Sequence, residues 1–235
     1  MPHTANLEAV TQQLELLGQS QFGKSPSSID IHANEHCIVI FLNDLTDSSD
    51  SRMPEDLDER YTHVYILLDQ FVFPAIKKKI EQATGSTIVN HFIDWKEETN
   101  CASIVCAFNL EPDHINEDLY SGKADLHIKV SQITKDVQKT PTDIESFWMN
   151  PSILCIIRKG LLISLEKRII KKGFNNALRV SKRELELDRF IEELPVEDIL
   201  GKKLDSAFLD WDFENDHSLL VLTFEENGKP KKAKA

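Results

Sequence analysis

The sequence has no apolar run approaching the ~20 residues that span a bilayer, so this chain cannot by itself carry ions across a membrane. Its opening residues, Met1 to Asn6, lack a basic region followed by an apolar core; no secretory signal is expected, and a cytoplasmic location is favoured. Cysteine is scarce. Cys37, Cys106 and Cys155 sit inside apolar strand-like runs and Cys101 just before one, and all four are read as buried reduced thiols. Signatures of chemistry are missing too: no Ser/His/Asp or Cys/His arrangement has a recognisable spacing, and no carboxylate pair stands out as acid and base. The expectation is a chain that is no enzyme, with no catalytic residues, no cofactor and no metal centre. Positive charge is in deficit, and a formal net charge of -12 repels polyphosphate backbones over most of the surface, so general nucleic-acid binding is disfavoured.

What is present describes a soluble globular chain. With 235 residues, 41% apolar and 28% charged, two compact units of ordinary size can each bury a core. The sequence supplies the division, because Phe22 to Phe108 is written a second time as Val137 to Phe224. Gly23-Lys24-Ser25-Pro26 reads against Gln138-Lys139-Thr140-Pro141, and His91-Phe92-Ile93-Asp94-Trp95 against Ala207-Phe208-Leu209-Asp210-Trp211. The offset is 115 positions at the front and 116 at the back, and Cys37 to Phe41 is set against Ser152 to Ile156 between them. A repeat this long far exceeds the roughly 20 to 50 residue units of solenoids and marks a duplicated domain.

Each repeat reads as helix, hairpin, helix, hairpin. Leu7, Val10, Leu14 and Leu17 recur at helical spacing, with Asn6 as a cap and Gly18 as an exit. Ile29 to Ala33 and Cys37 to Leu42 form the first hairpin, and an acidic loop or short helical lid follows from Asn43 to Glu59. A long helix from about Arg60 to Ala83 should kink or break at Pro74 and stop at Gly85. The last hairpin joins Thr87 to Trp95 with Ser103 to Asn109, and large apolar residues on both alternating sets (Ile88 with Phe92, Val89 with Ile93 and Trp95) predict a sheet covered on both faces. In the second repeat Asn176 to Leu200 is the long helix, with its proline at Pro195. The predicted class is α+β: two tandem α-β-β-α-β-β units, each a four-stranded antiparallel sheet with helices on one face, packed as a pseudo-twofold. The predicted division is repeat 1 over 1–110, a linker over 111–123, repeat 2 over 124–226 and a basic disordered tail over 227–235.

Several constellations could carry function. Gly23, Lys24 and Pro26, with Lys139 and Pro141 in the second repeat, hold the nearest approach to a phosphate-binding loop, but a P-loop needs a strand before the turn and a helix after it, so a structural helix-to-strand turn is preferred. His32, His36 and Cys37 are set against Phe147, Pro151 and Ser152, which favours ordinary strand residues over zinc ligands. The acids from Asp44 to Glu59 lack the spacing of a calcium loop. Asp94-Trp95 and Asp210-Trp211 are the most specific repeated pair: a carboxylate beside an indole could bind a cation or a peptide, while the plainer reading is a core tryptophan and a turn-opening aspartate. Arg158, Lys159, Lys167, Arg168, Lys171 and Lys172, continuing into Arg179, Lys182 and Arg183, form a candidate basic face where the first repeat is acidic; charge complementarity between the repeats is the simpler reading, a partner or nucleic-acid site the other.

The order of these parts resembles the bacterial MpsC-like family: Gly23-Lys24-Ser25-Pro26 before a hairpin, Leu45-Thr46 after it, Pro74 eleven residues before Gly85, and a hairpin closing each unit. Gly160-Leu161-Leu162 followed by Glu166-Lys167 looks like the segment that family carries after its second strand. The resemblance covers nearly all of both units, so the chain looks like a tandem member. It implies association with a membrane-potential-generating system linked to cation and inorganic-carbon uptake, and it brings no catalytic residues to carry over. Gln138 stands where the motif has glycine, and Phe73 precedes Pro74 where a basic residue is expected, which argues against a function needing two equivalent sites. The leading expectation is a non-catalytic accessory or regulatory module that binds a protein partner, such as a membrane transport subunit. Alternatives are a small-molecule or ion sensor with its ligand between the repeats, and a nucleic-acid binder using the basic part of repeat 2.

Overall fold

The computed structural model describes residues 7–47, 49–109 and 119–225. Asn6, the linker from 111 to 118 and the tail from 227 to 235 lie outside the described residues.

The first unit opens with helix α1 (Glu8–Phe22), whose Val10, Leu14 and Phe22 are buried. This helix does not stop at Gly18, as the spacing predicts, but continues to Gly23, which takes the left-handed conformation at φ 78°. Gly18 is there because Pro26 packs on it: a Cβ at Gly18 would come within 2.6 Å of the proline Cδ. Strands β1 (Ser28–Ala33) and β2 (Cys37–Asn43) form the expected hairpin. The long helix is divided as Pro74 requires, into α2 (Leu57–Leu67), a π-helical turn (Leu68–Val72) and α3 (Phe73–Thr84), which Gly85 ends. Proline has no N–H to return to the carbonyl four residues earlier, and the wider turn just before it accommodates that loss. Strands β3 (Asn90–Lys96) and β4 (Cys101–Ala107) complete the unit. The strand begins at Asn90 and not Thr87, so the predicted alternation fails at its start: Val89 is exposed, and Ile88 packs under the helices.

The second unit repeats this order with α4 (Lys123–Val137), β5 (Asp143–Asn150), β6 (Ile153–Lys159), α6 (Asn175–Glu193), a short α7 (Val196–Leu200) after Pro195, β7 (Leu204–Asp212) and β8 (His217–Phe224). It adds α5 (Ser164–Lys171), which has no helical counterpart among the described residues of the first unit. Both sheets are antiparallel, in the orders β1-β2-β4-β3 and β5-β6-β8-β7. Their registers locate the one-residue slip. Cys37 pairs with Ala107 as Ile153 pairs with Thr223, so the offset is already 116 in the second strand, and Cys37 corresponds to Ile153 rather than Ser152. The extra residue is Met149, a bulge at the end of β5, where the register shifts between Trp148 and Asn150.

Alternation along the strands sorts their side chains into an outer and an inner set. Ile38, Ile40 and Leu42 point under the helices of the first unit, while Cys37, Val39 and Phe41 point the other way. That inner set meets Phe147, Ile153, Cys155, Ile157, Phe208 and Val221 in a single apolar cluster drawn from both sheets. The layers therefore run helices, sheet, sheet, helices, with three cores. All four cysteines are free and buried, and burial raises the thiols of Cys37, Cys101 and Cys106, the last two to about 12.

A unit cut from its neighbour would expose Val39, Phe41, Phe92 and Val105 to water. Residues 1–110 produced alone are expected to self-associate, as read by sedimentation equilibrium; a stable monomer across the micromolar range would contradict this packing.

Candidate functional site at the repeat junction

Asp94 and Asp210 lie on β3 and β7, which are edge strands of their sheets and run against each other. An edge strand carries backbone N–H groups with no ladder partner, and burying them unsatisfied is costly. The two aspartates supply the missing acceptors reciprocally. Asp210 accepts the Ile93 N–H at 2.7 Å, and Asp94 accepts the Leu209 N–H at 2.9 Å. Each carboxylate also accepts the N–H of the tryptophan that follows it, at 2.8 Å from Trp95 and 2.7 Å from Trp211. The seam extends at both ends, where Asn90 donates to Asp212 at 2.6 Å and Lys96 to Ser206 at 3.1 Å. Asp94 and Asp210 are thus buried mid-strand connectors, and the reading of them as turn-opening residues is corrected.

Two arginines one turn apart on α6 neutralise these carboxylates. Arg183 donates through Nε to Asp94 at 2.5 Å and through Nη2 to the Trp95 carbonyl at 3.0 Å. Arg179 pairs with Asp210 and donates to the Trp211 carbonyl at 3.0 Å. Helix α2 stacks a tyrosine on each: the Arg183 guanidinium lies 4.8 Å from the Tyr61 ring and that of Arg179 4.4 Å from Tyr65. The Tyr61 hydroxyl donates to Asp94 Oδ1 at 3.3 Å, joining Arg183 and the Trp95 N–H on that oxygen, while the Leu209 N–H goes to Oδ2. Burial raises both phenols, that of Tyr65 to about 12, so neither ionises near neutral pH.

The remaining predicted residues fall elsewhere. Gly23, Lys24 and Pro26 form the turn from α1 to β1, with Pro26 buried and Lys24 bound to Asp44 at 2.7 Å; Lys139 and Pro141 hold the matching turn, with Pro141 buried. Lys24, Thr46 and Trp95, far apart in sequence, line one pocket of about 340 Å³ in the first unit. His36 lies against Phe147, ring centroids 4.8 Å apart, and His32 meets Asn150, so both histidines belong to the contact between repeats. Among the described residues no group of three or more His, Cys, Asp or Glu could hold a metal ion.

The basic face needs correction. Arg158 is fully buried, donating to Glu186 at 2.8 Å and to Thr134 at 2.8 Å. Lys182 is buried between Glu166 at 2.9 Å and Glu186 at 3.0 Å and donates also to Gln138. With Arg179 and Arg183 turned to the junction, the cations left outside are Lys159, half-buried, Lys167, which pairs with Asp216 at 3.2 Å, and the exposed Arg168, Lys171 and Lys172. The run alternates inward and outward with the helix, and a linear count of charge cannot see that. Gln138, the departure from the motif glycine, is also explained: it serves this buried network.

Sequence spacing missed a further polar contact. His127 on α4 and Tyr120 both reach Ser146 on β5, at 2.7 Å and 2.5 Å. Ser146 is fully buried, so this is a structural knot and not an accessible nucleophile.

Between α2, the β3–β4 turn and α6 lies a cleft of about 590 Å³, floored by Trp95 and Leu187 and rimmed by Asp58, Glu97, Glu98, Glu184 and Asp188. It draws on both repeats and stands directly over the Asp94–Arg183 pair. Among the described residues no helix is long and apolar enough to cross a membrane.

The fold and the junction define a duplicated α+β unit whose halves close on each other through acids, arginines and tyrosines. Residues 5–110 match the family model described as Na+-translocating membrane potential-generating system (MpsC), so the first unit is similar to that family. The match does not extend to the second unit. Neither the curated proteins nor the solved structures compared gave a match.

Asp94→Ala should cost roughly 3–5 kcal/mol in urea unfolding, because it strands a buried guanidinium and an edge N–H; a loss under about 1 kcal/mol would contradict the seam. His127 yields a pH dependence. Burial, then Lys123, lowers its imidazolium from 6.5 to about 4, so the folded protein resists a proton that the unfolded chain accepts. Above about pH 6.5 the residue is neutral in both states and contributes no slope; stability is lost as pH falls from there to about 4. His127→Gln should remove that part of the slope in unfolding curves, and an unchanged slope would refute the assignment.

Proposed function

We propose that this chain is a non-catalytic accessory or regulatory module of a membrane cation or inorganic-carbon transport system, acting by binding a protein partner through a surface made by both repeats. The observation that carries this reading is the family match of residues 5–110, whose description names a Na+-translocating system. The junction supports it: the repeated Asp-Trp pairs are consumed in holding the two units together, which leaves the composite outer surface as the part able to meet a partner. A second reading, a sensor that holds a small molecule or ion between the repeats, draws on the cleft of about 590 Å³. Nucleic-acid binding is disfavoured by the inward turn of Arg158, Arg179 and Lys182 as well as by the net charge.

Affinity capture of the tagged chain from its native host in mild detergent, with stoichiometry read by mass spectrometry, tests the proposal. A cation or bicarbonate transport subunit at near-equal amount is the expected result. Recovery of the chain alone, together with a rise in Tm on adding sodium, bicarbonate, a nucleotide or a divalent ion, would overturn it in favour of the sensor.

A further inference from the structure

The cleft at the junction has the form of a helix-binding groove. Its α6 wall presents Val180, Arg183, Glu184, Leu187, Asp188 and Ile191, spaced by three and four residues and therefore one stripe along the helix. The stripe spans three turns, about 16 Å at 1.5 Å per residue. The opposite wall is Leu57, Asp58 and Tyr61 on α2, and the β3–β4 turn closes one end. Leu57 is 62% exposed and Ile191 47%, so large apolar side chains stand open to water on both walls. Two helical walls with apolar side chains among their lining match the surface into which a third helix packs.

Charge selects the occupant. The two cations at the cleft are committed inward, Arg183 to Asp94 and Lys96 to Ser206. The rim carries Asp58, Glu98, Glu184 and Asp188, and burial, then the neighbouring Asp58, raises the Glu184 carboxyl. We propose that this groove docks an amphipathic, lysine- and arginine-rich helical segment of a protein partner, its apolar face on Leu57, Leu187 and Ile191 and its cations on the acidic rim. The proposal rests on the reading that the chain works by binding a protein partner, and it names the chemistry of the contact. Membrane proteins carry an excess of Lys and Arg in the loops on their cytoplasmic side, which is the charge this rim would attract.

The test uses the full chain and a fluorescent peptide of about five turns with leucine on one face and lysine on the other, followed by anisotropy. Saturable binding at one site is expected, weakened at least about tenfold in Asp58→Asn/Glu184→Gln/Asp188→Asn and again in Ile191→Lys, and weakened by added salt. A peptide of the same composition with its pattern scrambled should bind about tenfold more weakly, since net charge alone would attract both equally. Neutralising the distant acids Glu8 and Glu15 on α1 should change nothing, and circular dichroism checks that every variant folds. Equal binding by the triple variant or the scrambled peptide would overturn the proposal. So would binding that appears only after residues 227–235 are removed, which would assign the groove to the chain's own lysine-rich end. If native-host capture recovers a transport subunit equally with the chain and its triple variant, the accessory role stands and the groove assignment falls.

Discussion

The exchange of carboxylates between two edge strands is the constraint on which the rest of this structure depends. Strands β3 and β7 cannot continue each other's ladder, yet their N–H groups are buried, and an unpaired buried donor costs about 1–3 kcal/mol. Asp94 and Asp210 answer that cost from within the opposite repeat. Charged acceptors form stronger bonds than carbonyls, but a buried carboxylate is itself unfavourable unless fully hydrogen-bonded and paired. The arginines of α6 are therefore as necessary to the seam as the aspartates. Once the seam is set, the relative position of the sheets follows, and with it the apolar cluster between them and the cleft above.

Fusion of the repeats permits an asymmetry that two identical chains could not have. In a symmetric pair of single units the helices crossing the seam would carry the same side chains. Here α6 supplies both arginines and α2 supplies both tyrosines. Deeper in the second unit Arg158 occupies the register position that Leu42 holds in the first, and Glu186, Lys182 and Glu166 balance it as two cations against two anions. A buried network of this kind stabilises little compared with an apolar core but suffers badly from loss of any member. The repeats are alike in backbone and different in interior.

Architecture was legible in the sequence because duplication prints the same pattern twice. The α+β class, the two-faced burial of the sheets and the break at Pro74 all follow from hydrophobic period and from proline's missing donor. Gly18 misled because its role is close contact with Pro26, a contact between residues on different elements, whereas Gly23 and Gly85 do end helices through left-handed φ. The Asp-Trp pairs were recognisable as special, but their partners are across the seam, and nothing linear connects Asp94 to Leu209 or to Arg183. Arg158 and Lys182 read as surface charge because burial of a cation is decided by its counter-ion, here Glu186 on another element or another turn. The groove was invisible for the same reason, since its walls come from different repeats.

Amide hydrogen exchange resolved at Ile93 and Leu209 tests the central claim most directly. Both are edge-strand positions, where an N–H open to solvent exchanges by local fluctuation. If the aspartates close the seam, these two amides exchange only through global unfolding, as slowly as the inner-strand amides of Ile104 and Leu220. Rapid exchange at Ile93 and Leu209 while Ile104 and Leu220 stay protected would mean that the repeats separate in solution and that Asp94 and Asp210 do not hold the junction closed.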